Sequence, residues 1–359
     1  MSKTFNEGLL SDSISFAIAN EVRWSKDNTA PWGIHEEDLP PWNKLFGPAF
    51  PRGGVSGIIH VDGKKIVSWG DINRADLTFS VAKTYLALLC GVASEQGLIP
   101  DLDDFVVESA PNIGFESTHN RQVTWRHLLQ QTSEWSGICC GIPDQVDHYR
   151  RLSFQKTDTR CHFTKGTKRK LQKPGTYWEY NDVRINQLST ALLHVFLEPL
   201  DSVFERTIRE PIGCRDSWSW TSYDNAFAHI NNTQMPILPG GSHWGGGVRI
   251  SSQDQVLIGQ LISQRGCWNG EQLISEDWFD LMTSPSHLNP NYGFLTWLNT
   301  NRFLFAGLPE SSVFAIGAGG SYTWIDPELN SVTVIRWIDP SCVGRFMVQV
   351  RQALEAQRK

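Results

Sequence analysis

Thr78-Phe79-Ser80-Val81-Ala82-Lys83-Thr84-Tyr85-Leu86-Ala87-Leu88-Leu89-Cys90-Gly91-Val92-Ala93-Ser94-Glu95-Gln96-Gly97 is the stretch on which the fold turns. From Ser80 onward Val81, Ala82, Tyr85, Leu86, Leu88, Leu89, Val92 and Ala93 recur as they do in a buried helix, and the run stops at Gly97, a C-terminal helix signal. Between Asp76 and Glu95 the one formal charge is Lys83. A helix that begins at Ser80 sets Lys83 one turn later on the same face, within reach of the serine hydroxyl. Burial and the positive end of the helix dipole both disfavour the ammonium form there. Serine is a weak nucleophile until a neighbouring base takes its proton, and this spacing supplies nucleophile and amine from one rigid turn. The same four residues also describe a helix N-cap serine followed by a lysine that snorkels to solvent.

On the N-terminal side, residues 55–69 are two β-branched runs around Asp62-Gly63, the pattern of an antiparallel hairpin. Towards the C-terminus, Ser321–Ile325 and Val332–Trp337 alternate as strands do around the turn-rich Asp326-Pro327-Glu328-Leu329-Asn330. Val343, Phe346, Met347, Val350 and Leu354 then fall at helical spacing, which predicts a closing helix along that sheet. Thr124–Leu129 and Asn186–Phe196 read as helices, so the middle of the chain is mainly helical. The expectation is an α/β fold of the α+β sandwich type, an antiparallel sheet flanked by helices. Residues 1–79 and 245–359 would form the discontinuous sheet domain, and residues 80–244 a mainly helical domain with loops. Lys165–Lys173 carries five basic residues and reads as a solvated loop.

Composition narrows the function classes. A chain of 359 residues is long enough to bury a large core. Its 32 basic residues are outnumbered by 38 acidic ones, which leaves no basic face for nucleic acid. Lys3, Glu7, Asp12, Glu21 and Lys26 interrupt the first 30 residues, so no secretory signal is expected, and no run reaches the ~18 apolar residues of a membrane span. Seven cysteines, an odd number, point to reduced thiols and a cytoplasmic location. No C-x-x-C or H-E-x-x-H spacing occurs, so neither a metal nor another cofactor is expected.

Further motifs follow in order: Val123-Thr124-Trp125-Arg126-His127-Leu128-Leu129-Gln130-Gln131-Thr132-Ser133, Tyr180-Asn181-Asp182 after Lys173-Pro174-Gly175, Gly245-Gly246-Gly247-Val248-Arg249, Trp268-Asn269-Gly270-Glu271-Gln272-Leu273, and Gly317-Ala318-Gly319-Gly320-Ser321-Tyr322. Together with the Ser80 stretch, this series resembles the penicillin-recognising serine hydrolases, most of all the class C β-lactamases with their esterase and 6-aminohexanoate-oligomer hydrolase relatives. The resemblance runs from about residue 55 to the C-terminus. It implies that Ser80 is the nucleophile, Lys83 its activating amine and Tyr180 the second member of the base pair. A phenol beside an ammonium is expected to have its pKa lowered. The resemblance also implies an oxyanion hole made by the backbone N–H groups of Ser80 and Ala318. Gly317, Trp135 and Trp178 would line or support the cleft, and Asp182 stands where the family usually has asparagine.

A second departure lies in the final motif. Ala315-Ile316-Gly317 replaces Lys or His, then Ser or Thr, then Gly, and an alanine-isoleucine pair cannot hold a substrate carboxylate. The expected activity is therefore hydrolysis of a small-molecule ester or amide through an acyl-enzyme. The alternatives are a β-lactamase or D-Ala-D-Ala-type peptidase, and a catalytically silent ligand-binding module on the same fold. Arg249, Arg336 and Arg345 are the basic residues that could replace the missing polar pair.

Overall fold

The computed structural model describes residues 5–27, 43–152 and 163–355. After helix α1 (Glu7–Ala19), strand β1 (Ser56–Val61) turns through Asp62 (φ 49°) and Gly63 (φ 74°) into β2 (Lys64–Trp69). Positive φ at both central residues is the hairpin turn that Asp-Gly favours. Helices α2 (Val81–Glu95), α3 (Asp182–Phe196) and α4 (Ser252–Ser263) follow. The chain then returns to the sheet as β3 (Trp297–Leu298), β4 (Val313–Gly317), β5 (Ser321–Asp326) and β6 (Ser331–Arg336), and ends in α5 (Pro340–Glu355).

These strands form one antiparallel sheet in the order β3-β4-β5-β6-β1-β2. Its seam joins the two ends of the sequence: Ser56 lies opposite Arg336 and Val61 opposite Ser331. Successive side chains of a strand point to opposite faces, and the helices use both. Thr323 of β5 accepts from Gln255 of α4 at 2.8 Å, while Asp326, three residues on, meets Arg351 of α5 on the other side. Helix α5 packs in turn against α1 and sets Phe346 5.8 Å from Trp69. Covered on both faces, β1, β4, β5 and β6 are buried along their whole length, their polar residues such as Thr323 and Asp326 included. The edge strand β2 carries its lysines outward, as edges that avoid further pairing do.

Every residue of α2 from Val81 to Ala93 is buried, because the helix runs between β4 and β5 on one side and α3 on the other. A helix apolar all round has to sit in such a place. Helix α3 starts at Asp182, four residues before the periodic run expected from Asn186, because Asn181 caps it by accepting from Val183 N and Arg184 N. No helix among the described residues is long and apolar enough to cross a membrane.

The basic stretch departs from its reading as a solvated loop. Lys168, Lys170 and Lys173 are exposed as expected. Arg169 instead turns inward between Glu134 and Glu179, with guanidinium–carboxylate distances of 2.6 Å to each. Arg184 of α3 joins the same two carboxylates, at 2.9 Å and 3.3 Å. A run of charge in the sequence cannot reveal partners that lie 35 and 10 residues away.

Candidate active site

The chain enters α2 through Phe79, a buried residue with φ 52°. Non-glycine residues rarely occupy this left-handed region, and they keep it only where their surroundings hold them. Trp24 and Trp337 do so here, edge-on to the Phe79 ring at 5.6 Å and 6.2 Å. Ser80 then occupies the N-cap position, but its side chain makes no capping hydrogen bond. Its Oγ lies instead 2.9 Å from Lys83 Nζ. Lys83 is 1 % exposed, so it does not snorkel, and the capping alternative fails for both residues.

Around Lys83 the described residues build a closed shell. Nζ lies 2.6 Å from Asp182 Oδ1 and 3.3 Å from the Gly240 carbonyl, and it sits over the Tyr180 ring at 4.8 Å. Gly241 closes the shell: a Cβ there would lie 2.8 Å from Lys83 Nζ, 3.0 Å from Asp182 Oδ2 and 3.3 Å from Ser80 Oγ, so no side chain fits without displacing them. Burial pushes the Lys83 amine below the ordinary lysine range, and the attraction of Asp182 does not make up the loss. Burial alone would raise the Asp182 carboxyl, but Arg150 and Lys83 outweigh it and hold the group well below the usual range, so Asp182 is a carboxylate.

The Tyr180 hydroxyl lies close enough to Ser80 for the serine to favour its ionised form. Its pKa is raised, not lowered as the sequence reading expected, because burial and the nearby Asp182 carboxylate disfavour the phenolate. Both cations meet the face of the ring, Lys83 at 4.8 Å and Arg150 at 5.7 Å. There they gain from the ring quadrupole rather than from a charge on the oxygen. Tyr180 stacks at 5.7 Å on Trp297, and Trp178 meets Tyr292 and Trp297 edge-on at 5.6 Å and 6.1 Å, which makes one aromatic wall. Trp135 is placed elsewhere. It is buried against Phe115 and Gly137, and its indole donates to the Gly114 carbonyl at 2.8 Å.

Gly317 ends β4 against the segment that leads into Ser80: a Cβ there would fall 2.0 Å from the Thr78 carbonyl. Only glycine permits that approach. Ala318 follows directly, at the start of the one-turn helix Ala318–Gly320. Ala315 and Ile316, the pair that the family resemblance would have polar, are buried in β4. Of the arginines considered as replacements, Arg336 is committed to the Asp76 carbonyl and Gln255, Arg345 lies over Phe16 at 4.5 Å, and Arg249 over Phe50 at 4.7 Å. No group of His, Cys, Asp or Glu among the described residues could hold a metal ion.

The basic residue that does enter the site is Arg150, which no motif marked. Arg150 Nη1 lies 2.8 Å from Asp182 Oδ2 and 3.0 Å from Asp147 Oδ2, and Nη2 donates to His243 Nδ1 at 2.6 Å. The other ring nitrogen, Nε2, lies 3.0 Å from Lys165 Nζ, so both nitrogens of His243 face basic side chains. Asp147 Oδ2 also accepts the Asp182 N–H at 2.7 Å. Asp147 comes from a one-turn 3-10 helix, Asp182 from the start of α3 and His243 from a loop, and only the fold brings them together.

Fold and site together place a Ser-x-x-Lys turn at the start of a buried helix beside an antiparallel sheet. The family model for beta-lactamase matches residues 58–337, and the chain belongs to that family, whose members are serine hydrolases including esterases, amidases and penicillin-binding proteins. The fold is β-lactamase/transpeptidase-like. A penicillin-binding protein homologue from Caulobacter crescentus superposes with a TM-score of 0.59 at 15% identity, over 89% of this chain and 96% of that one. EstCE1, a hydrolase with promiscuous acyltransferase activity, gives 0.59 at 18% identity over 96% and 99%. A D-stereospecific amidohydrolase from Streptomyces gives 0.54 at 16% identity over 83% and 93%. No curated protein matches the chain. At these identities the structural likeness speaks for the fold alone.

Proposed function

We propose that the protein hydrolyses an uncharged small-molecule ester or amide through an acyl-enzyme at Ser80, without a cofactor. The observation that carries this reading is the buried Lys83 amine 2.9 Å from an Oγ that caps nothing. In the reaction, neutral Lys83 takes the Ser80 proton and Oγ attacks the carbonyl carbon. The N–H groups of Ser80 and Ala318 receive the oxyanion. The proton then passes by way of the Tyr180 hydroxyl to the leaving alkoxide or amine. The raised pKa of Tyr180 suits a phenol that stays protonated and relays, and Lys83 is left as the base. Water enters by the reverse path and releases the acid.

The test is covalent labelling. A fluorophosphonate probe should modify Ser80 and leave Ser80→Ala unlabelled, and the same variant should lose hydrolysis of p-nitrophenyl acetate. Modification mapped to another serine would remove Ser80 from the mechanism.

A further inference from the structure

Asp182 brings a full negative charge to a position where the family resemblance leads one to expect a neutral amide. A carboxylate 2.6 Å from Lys83 Nζ in a dry site would by itself hold the amine as ammonium, with no lone pair for the Ser80 proton. Directly behind it the fold sets a counterweight. Each Asp182 oxygen has its own partner: Oδ1 faces the Lys83 amine and Oδ2 faces the Arg150 guanidinium at 2.8 Å. Arg150 is fixed in turn by Asp147, by His243 and by the face of Tyr180. Its guanidinium does not titrate in proteins, so its charge is constant across any working pH.

We propose that Arg150 is a positioning residue of the hydrolytic site: it pins the Asp182 carboxylate and balances its charge, so that Asp182 orients Lys83 as a neutral amide would and leaves the amine free to exchange a proton with Ser80. The inference rests on Lys83 being the base of Ser80, and it adds the Asp182–Arg150 pair as a single unit. The described groups that face Lys83 are Ser80 from its own turn, Asp182 from α3, the Tyr180 ring and the Gly240 carbonyl. Arg150 and Asp147 form the next layer, with Lys165 3.4 Å from Asp147 Oδ1 and His243 between Arg150 and Lys165. Asp182 favours the ammonium of Lys83 and Arg150 opposes it, which are the signs the arrangement requires.

The experiment compares Arg150→Met, Asp182→Asn and the double variant in the full chain. Lys83 is titrated by NMR of 13Cε-labelled lysine, with Lys83→Arg assigning the resonance, and kcat/KM for p-nitrophenyl acetate is measured across the same pH range. Arg150→Met leaves Asp182 unbalanced, so the Lys83 midpoint should rise. Activity at neutral pH should then fall about tenfold for each unit of rise and return on the alkaline side. Asp182→Asn should move the midpoint down, and the double variant should bring it back towards the wild type and recover at least about tenfold of the activity lost in Arg150→Met. Shifts of equal sign, no shift, or a double variant that stays with Arg150→Met overturn the proposal. If Arg150→Met does not fold, Asp182→Asn decides alone, because a midpoint that rises or holds overturns it. The titration reads Lys83 whether or not substrate turns over, so a failure of Ser80 labelling would sink the nucleophile assignment separately.

Discussion

At the scale of single residues, the proposed mechanism lets the buried amine of Lys83 set how much of the protein is reactive at a given pH. The neutral amine is the active form and burial lowers its pKa, so kcat/KM should rise with pH along a limb centred below the ordinary lysine value of about 10.4. A profile of p-nitrophenyl acetate hydrolysis, corrected for background, checks this; a limb at or above that value would mean that Lys83 is not the base. The raised phenol of Tyr180 adds that no decline from its ionisation should appear up to about pH 10. Lys83→Ala and Tyr180→Phe should each lower kcat by at least about 10²-fold while thermal unfolding remains cooperative. Near-normal turnover in either variant would excuse that residue. Ser80, Lys83, Tyr180 and Asp182 could be picked from the sequence because short motifs carry them. Arg150 could not, since its partners Asp182 and His243 are neighbours only in space. Nor could the direction of the Tyr180 shift, because the order of residues does not tell whether a cation meets a ring face or a hydroxyl.

At the scale of elements, strand β4 ends against the segment that leads into Ser80 and Gly241 meets its hydroxyl, and each supports a prediction. Ala315 and Ile316 offer a substrate carboxylate no partner, and an unpaired buried charge costs several kcal/mol. Short-chain esters should therefore exceed carboxylate-bearing β-lactams by at least about 10²-fold in kcat/KM, or roughly 2.7 kcal/mol of discrimination. Nitrocefin run against p-nitrophenyl acetate on one preparation checks it, and efficient nitrocefin turnover would show that another cation has taken the place of the polar pair. Gly241→Ala should lower kcat at least about tenfold with little change in stability, because its Cβ would press on the movable ends of Lys83, Asp182 and Ser80 rather than on backbone. A circular-dichroism melt beside the kinetics separates the two effects. The β1–β2 hairpin and α2 were readable because a turn dipeptide and a continuous apolar run each dictate one local answer. The start of α3 was not, because the capping role of Asn181 shows only in its bonds to Val183 and Arg184.

For the molecule as a whole, the cluster of Arg169, Arg184, Glu134 and Glu179 fastens the basic stretch to the body of the protein. Arg169→Ala would leave Glu134 and Glu179 with one arginine fewer among side chains at most 6% exposed. Breaking such a buried pair costs about 3–5 kcal/mol. Urea unfolding should show that loss, whereas Lys168→Ala and Lys170→Ala should stay within about 0.5 kcal/mol of the wild type; equal effects from all three would return the whole stretch to solvent. The sheet was foreseeable as a pairing of the two chain ends because both ends alternate in hydrophobicity, but the register of β1 against β6 is fixed by the helices that cover both faces. That seam also imposes an order of events in time. Ser80 receives its final surroundings only when Gly317 has been made and has come to rest against Thr78. With translation at about 5–20 residues per second, roughly 10–50 s separate the two residues on the ribosome. On the proposed mechanism the nascent chain thus carries a serine that cannot yet react, and it waits for the last strands to arm it.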